Sequence, residues 1–385
     1  MGRTARRQGA RAAKIIRPMQ ALLWDVFCRV IDNHGDLGVC WRLAADLAAR
    51  GQAVRLWVDD ARALAWMAPQ GCDGVTLMPW PQDDDATLAA TGWPEPGDVV
   101  VEAFGCDPPA GFVARMRRPA PPAWINLEYL SAEGYVERSH GLPSPVMSGP
   151  GRGLVKRFFY PGFTPRTGGL LREADLPAQQ AAFDAAGWLA AQGVDHRAGE
   201  RIVTLFCYPH APVAELLRGL SECPTLLLST PGPATAAVDA AARSGALPAS
   251  VRVHRLPWLT QPGYDQLLWS ADFNIVRGED SFVRAMWAGK PFLWHIYRQD
   301  DGAHAVKLDA FLQLFLQERP DDGAQQVRRA WRAFNDTGEP PQALADGLGE
   351  LLDAAAQAHA GRWRSALMAQ ADLVSQLLAF VRAGC

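Results

Sequence analysis

No apolar stretch in this sequence approaches the ~20 residues a helix needs to cross a bilayer. The opening also lacks the apolar region of a secretory signal. Its first 20 residues hold Arg3, Arg6, Arg7, Arg11, Lys14 and Arg17, no acid, and no long apolar run behind them. Residues 1–20 read as a basic, disordered extension of a cytoplasmic protein without membrane association. Cysteine is sparse and unpatterned: Cys28, Cys40, Cys72, Cys106, Cys207, Cys223 and Cys385 are odd in number and include no C-x-x-C. Neither a disulfide framework nor a zinc site is indicated. Positive charge is in deficit. Six of the 38 basic residues lie in the first 20, so the remainder carries 32 against all 41 acids. Such a body is a poor surface for nucleic acid, whose phosphates are met by Lys and Arg. A G-x-G-x-x-G fingerprint is also missing. That leaves a nucleotide-dependent dehydrogenase or epimerase supported only by Asp59 and Asp60, about 20 residues beyond Gly35–Gly38.

What is present is a 385-residue chain with 49% hydrophobic residues, enough for two cores. Short apolar runs alternate with helical patterns: strands at Leu22–Phe27, Val54–Val58, Val99–Ala103 and Trp124–Leu127, and a helix at Gly38–Arg50. A Gly- and Pro-rich stretch, Ser139–Ala174, reads as the crossing between domains. The alternation then resumes with strands at Arg201–Cys207, Thr225–Ser229, Val251–Leu256, Phe273–Val276 and Phe292–His295. This pattern predicts an α/β fold of two doubly wound, Rossmann-like domains facing each other across a cleft. The expected boundaries are 21–180 and 181–362, followed by an amphipathic helix, 363–385, packing back on the first domain.

Three groups of residues could carry chemistry. Asp32-Asn33-His34-Gly35-Asp36 follows the first strand, where open α/β sheets bind ligands. One Asp suffices to cap a helix, but a cap does not call for two. Arg277-Gly278-Glu279-Asp280-Ser281 follows a later strand and opens a helix, whose free N–H groups and dipole make an anion site for a diphosphate; Asp280 reads as its N-cap. Phe206, Tyr208, Trp258, Gln261 and Tyr297 gather at one rim of the second sheet, where aromatic faces can stack a base and Gln261 can read its edge. His34 and His295 read as structural, and no metal-ligand spacing or cofactor motif is present.

At these residues the sequence resembles the protein-arginine rhamnosyltransferases that mature bacterial elongation factor P, the EarP family. The resemblance rests on Trp24–Val39, Phe273–Ala285 and Trp287–Tyr297, and extends from about Leu22 to the C-terminus. It implies a GT-B glycosyltransferase that moves L-rhamnose from dTDP-β-L-rhamnose to an arginine of elongation factor P, activating that factor for ribosomes stalled at polyproline. It further implies inversion and neither metal nor cofactor. By motif, Asp32, Asp36 and Glu279 would be catalytic. Asn33, Gly35, Phe206, Tyr208, Trp258, Gln261, Arg277, Gly278, Asp280, Ser281 and Tyr297 would bind the donor. Trp258 stands where the family has Phe, and His34 where it has Tyr or Phe. A non-catalytic partner of the factor is the remaining alternative.

Overall fold

The computed structural model describes residues 21–31, 34–80, 92–317, 319 and 322–384. Two sheets form its frame. The first has seven strands: β1 (Leu23–Cys28), β2 (Ala53–Val58), β3 (Val75–Pro79), β4 (Val99–Ala103), β5 (Ala123–Leu127), β6 (Pro143–Pro145) and β7 (Val155–Phe159), in the order β3-β2-β1-β4-β5-β7-β6. All neighbours are parallel except β6 and β7. The second has five parallel strands: β8 (Arg201–Leu205), β9 (Thr225–Ser229), β10 (Val251–Arg255), β11 (Phe273–Arg277) and β12 (Phe292–His295), ordered β10-β9-β8-β11-β12. Central strands such as β4 and β11 are buried along their whole length, so they are near-continuous apolar runs rather than alternating ones.

The strand order reverses twice, between β1 and β4 and between β8 and β11. At such a switch point the connections leave a strand pair in opposite directions and open a crevice at the carboxyl ends. The loops after β1 and β11 emerge there, and each leads into a helix, Gly35–Ala49 and Asp280–Ala288.

Three differences from the sequence reading have physical causes. The first helix starts at Gly35, three residues early, which moves Asp36 from the loop into the first turn. The Gly/Pro stretch adds β6 and β7 to the first sheet before it crosses. Two prolines on an edge strand and Lys156-Arg157 on its neighbour hide the strand pattern, and an edge is where a sheet tolerates proline. The C-terminal helix is two helices, Ala354–Met368 and Leu373–Arg382. The break lets Leu367 join the core of the second sheet. Leu373, Val374, Leu377 and Leu378 join that of the first.

Candidate active site

Helix Gly35–Ala49 faces helices Gln261–Ser270 and Asp280–Ala288 across the crevice, and a cluster of buried ions binds the three together. Arg42 reaches Asp265 through two hydrogen bonds of 2.9 and 3.0 Å, and its Nε lies 2.7 Å from Asp280. Arg284 holds the same Asp265 at 2.7 and 2.9 Å and Glu173 at 2.7 Å. Burial works against charge on both arginines, but the carboxylates around them, Asp265 first, raise both. Glu173 is pushed up by burial, yet Arg284 and Arg42 hold it down to about 2. Asp280 therefore does not cap its helix. Glu279 stands at the cap position but makes no side-chain bond to its own helix, and Asp280 pairs with Arg42. Gln261 adds a bond of 2.9 Å to the Gly38 carbonyl. Gly38 permits this approach: a Cβ there would meet Asp280 at 3.2 Å and Gln261 at 3.3 Å.

Above the ion cluster the crevice divides into two chambers that share Gly35 and Gly278. Gly278 has φ +65°, the left-handed turn that swings the chain from β11 into its helix, and its carbonyl accepts from Trp294 Nε1 at 2.8 Å. The first chamber, about 720 Å³, collects Phe206, Trp258, Gln261, Arg277, Asp280 and Ser281. The Arg277 guanidinium lies 4.5 Å from the ring centre of Phe206 and 4.6 Å from that of Tyr208. Ser281 Oγ donates to the Arg277 carbonyl. Tyr208 itself is buried behind Arg277 and does not line the chamber.

The second chamber, about 950 Å³, brings Asp36, Tyr129, Glu279, Tyr297 and Lys307 together. Asp36 is buried; its Oδ2 accepts from the Ile31 N–H at 2.8 Å and its Oδ1 from the Tyr129 hydroxyl at 3.3 Å. Glu279 accepts from the Leu130 N–H at 3.0 Å. Burial pushes its carboxyl up to about 7, against the pull of Lys307. Burial lowers Lys307 in turn, opposed by Glu279. Tyr297 thus belongs with the acids and not with the first chamber. Asp32 and Asn33 lie outside the described residues.

Sequence reasoning missed four site residues. Tyr129 and Lys307 belong to no motif, and Arg42, just past the Trp24–Val39 stretch, reads only as a polar position of its helix. Trp66 closes the first chamber from the opposite unit, its ring centre 4.6 Å from that of Trp258. Trp258 is half exposed, and His34 packs edge-on against both tryptophans at 5.3 and 5.7 Å. His295 is structural: its Nδ1 accepts from the Tyr208 N–H at 3.1 Å, and burial pushes it down to about 3. The pair that kept a dehydrogenase in view is committed elsewhere. Asp59 accepts the Val30 N–H at 2.9 Å and Asp60 pairs with Arg62. Among the described residues no group of three or more His, Cys, Asp or Glu is placed to hold a metal ion, and no helix is long and apolar enough to cross a membrane.

Comparison with known proteins places the chain in a family. The family model of Elongation-Factor P (EF-P) rhamnosyltransferase EarP matches residues 24–382. The protein-arginine rhamnosyltransferase of Pseudomonas putida is 44% identical over 380 residues, covering 93% of this chain and 98% of that protein. That of Pseudomonas aeruginosa is 42% identical with the same coverage. A solved structure concerned with EarP-mediated arginine glycosylation of translation elongation factor EF-P matches at TM-score 0.62 and 32% identity, over 94% of this chain and 100% of that one. Spinosyn rhamnosyltransferase SpnG, 15% identical with TM-score 0.52, covers 94% of this chain and 100% of its own and shares the fold alone.

Proposed function

The chain belongs to the EarP family and is a glycosyltransferase of GT-B fold, and from that premise we propose that it transfers L-rhamnose from dTDP-β-L-rhamnose to an arginine side chain of elongation factor P. In this reading the anomeric centre inverts and no metal takes part. The observation that carries it is the opposition of two walls. Asp36 projects from the first unit, the Gly278–Ser281 helix start lies on the second, and both chambers meet at Gly35 and Gly278. Inversion needs the nucleophile and the leaving group on opposite faces of the sugar, and two chambers joined at a glycine waist suit that layout.

Donor binding falls to the first chamber. Trp258 and Trp66 supply aromatic faces for the base, and Gln261 supplies an amide for its edge. Backbone N–H groups at the start of helix Asp280–Ala288, with Ser281 and Arg277, receive the diphosphate. The acceptor meets the second chamber. A guanidinium is a poor nucleophile because it stays protonated, with a pKa above about 12. A carboxylate must therefore orient it and take a proton as the bond forms. Asp36 takes that proton, with Asp32 as its orienting partner. The guanidine nitrogen bonds to the anomeric carbon, the bond from that carbon to the β-phosphate oxygen breaks, and dTDP leaves with the electron pair. The helix N-terminus stabilises the charge that develops there. Glu279 faces Asp36 across the same chamber. The acceptor enters past the exposed Ile31 and Tyr297, which line the second chamber.

Purified protein incubated with dTDP-β-L-rhamnose and elongation factor P tests the reading by intact mass. A gain of one deoxyhexose on the acceptor, lost when its arginine is replaced, is the expected result. An unchanged acceptor mass with both substrates bound removes the transfer.

A further inference from the structure

One wall of the second chamber is the ring of Tyr129, held in place by Phe104. Phe104 follows β4 directly and adopts φ +59°, the left-handed region that a bulky residue enters only when its surroundings demand it. Its N–H donates to the Leu127 carbonyl at 2.7 Å, which pins the turn to the end of β5. The turn sets the Phe104 ring against that of Tyr129, with centres 4.3 Å apart and planes within 12°. Tyr129 is thus fixed at its ring by Phe104 and at its hydroxyl by Asp36. Its side chain remains 37% exposed. One cation already uses this ring: Lys307 Nζ, on helix Ala303–Phe315, lies 5.5 Å from its centre.

We propose that Tyr129 is the aromatic wall on which the acceptor's guanidinium lies, between Asp36 and Glu279, and that Lys307 leaves the ring as the acceptor enters. The proposal rests on the arginine-transfer reading above and assigns the part of the site that recognises the cation. Three features point the same way. A guanidinium is planar and weakly hydrated, and it stacks on aromatic faces better than an ammonium does. The ring's own hydroxyl touches the carboxylate that must receive the proton, so a cation on this face has Asp36 at its rim. Two carboxylates and an aromatic face line the chamber, and the side chain that now supplies the positive charge is a flexible lysine, which can swing aside.

A double-mutant cycle tests this. The affinity of elongation factor P is measured by calorimetry with the first chamber filled by dTDP, so that no turnover occurs. Wild-type enzyme, Tyr129→Phe and Tyr129→Ala are each titrated with the natural acceptor and with one whose target arginine is methionine. Tyr129→Ala is expected to weaken the arginine acceptor on the order of three- to thirtyfold and to leave the methionine acceptor unchanged. Tyr129→Phe, which keeps the ring, is expected to bind both acceptors as wild type does. An equal loss for both acceptors, or no loss for either, overturns the proposal. The dTDP affinity of each variant, expected to be unchanged, separates it from a folding defect. Failure of sugar transfer by wild-type enzyme would remove the transfer reading, while the cycle would still report whether Tyr129 meets the arginine.

Discussion

Asp36 and Glu279 show how the same side chain chemistry takes different characters from its surroundings. Among the described residues, Asp36 accepts hydrogen bonds from a backbone N–H and from a phenol. Replacement by asparagine keeps its shape but leaves no carboxylate to take a proton. Asp36→Asn is expected to lower transfer at least about a thousandfold, at the level of general-base loss and misorientation combined. Its dTDP affinity should stay within twofold, because the nucleotide chamber does not include Asp36. A loss of dTDP binding in a titration would refute the role. Glu279 is a partly buried acid lifted from its ordinary 4.5 to about 7. Between those values the folded protein holds a proton that the unfolded chain has released. Its contribution to stability is therefore full below pH 4.5 and is lost as pH rises through 7. In the ligand-free enzyme the melting temperature should fall over that window, and Glu279→Gln should flatten this part of the curve. An unaltered pH profile in the variant would show that the acid is not the source.

The helices that meet beneath the cleft are tied together by charge. Arg42, on helix Gly35–Ala49, is the one member of the ion cluster contributed by that helix. It joins Asp265 and Asp280 on two helices of the opposite unit. Buried pairs of this kind add little when intact, but removing one partner leaves buried charge uncompensated, at a cost of about 3–5 kcal/mol. Arg42→Met, which keeps length and apolar bulk, is expected to destabilise the protein by about that amount in urea unfolding. A shift below ~1 kcal/mol would mean that Arg284 alone neutralises the acids. None of these pairs was legible beforehand. Arg42 sits in the helix's pattern of Val39, Leu43 and Leu47 as one more polar position. The carboxylates it meets, Glu173, Asp265 and Asp280, are 131 or more positions away.

At the scale of the molecule, the chain ends by returning to its beginning. Arg50 binds Asp372 at 2.8 Å and Ser375 at 2.6 Å, tying the last helix to the first. Leu373, Val374, Leu377 and Leu378 are buried in the core of the seven-stranded sheet, 0–6% exposed. Each fully buried aliphatic side chain contributes about 1.5–3 kcal/mol, so together they rival the whole stability of a typical domain, ~5–15 kcal/mol. Deleting residues 371–385 is expected to lower the melting temperature by more than about 10 °C or to yield insoluble protein. A truncated chain that melts within a few degrees of the full one would show this packing to be dispensable.

The architecture was legible because its signals are local. Parallel strands buried on both faces must be apolar runs, and a loop opening a helix after such a strand marks the ligand edge of the sheet. Both acid-bearing strand-to-helix junctions, at Asp36 and at Glu279, could be located that way. Local signals fail where a residue's neighbours come from elsewhere in the chain. Tyr208 lies at a strand end like Phe206, yet it packs behind Arg277. Tyr297 shares that rim but joins the acids. Asp280 reads as a cap, but it is the first residue inside the helix and spends its carboxylate on Arg42. Tyr129, Lys307 and Trp66 belong to no motif. What the sequence by itself determined is the two facing sheets and the strand ends that carry chemistry, because periodicity and burial are properties of short segments. Only the tertiary structure decided which side chains share a chamber, because the charge, aromatic face and desolvation that shape a site are supplied by residues brought together from distant parts of the chain.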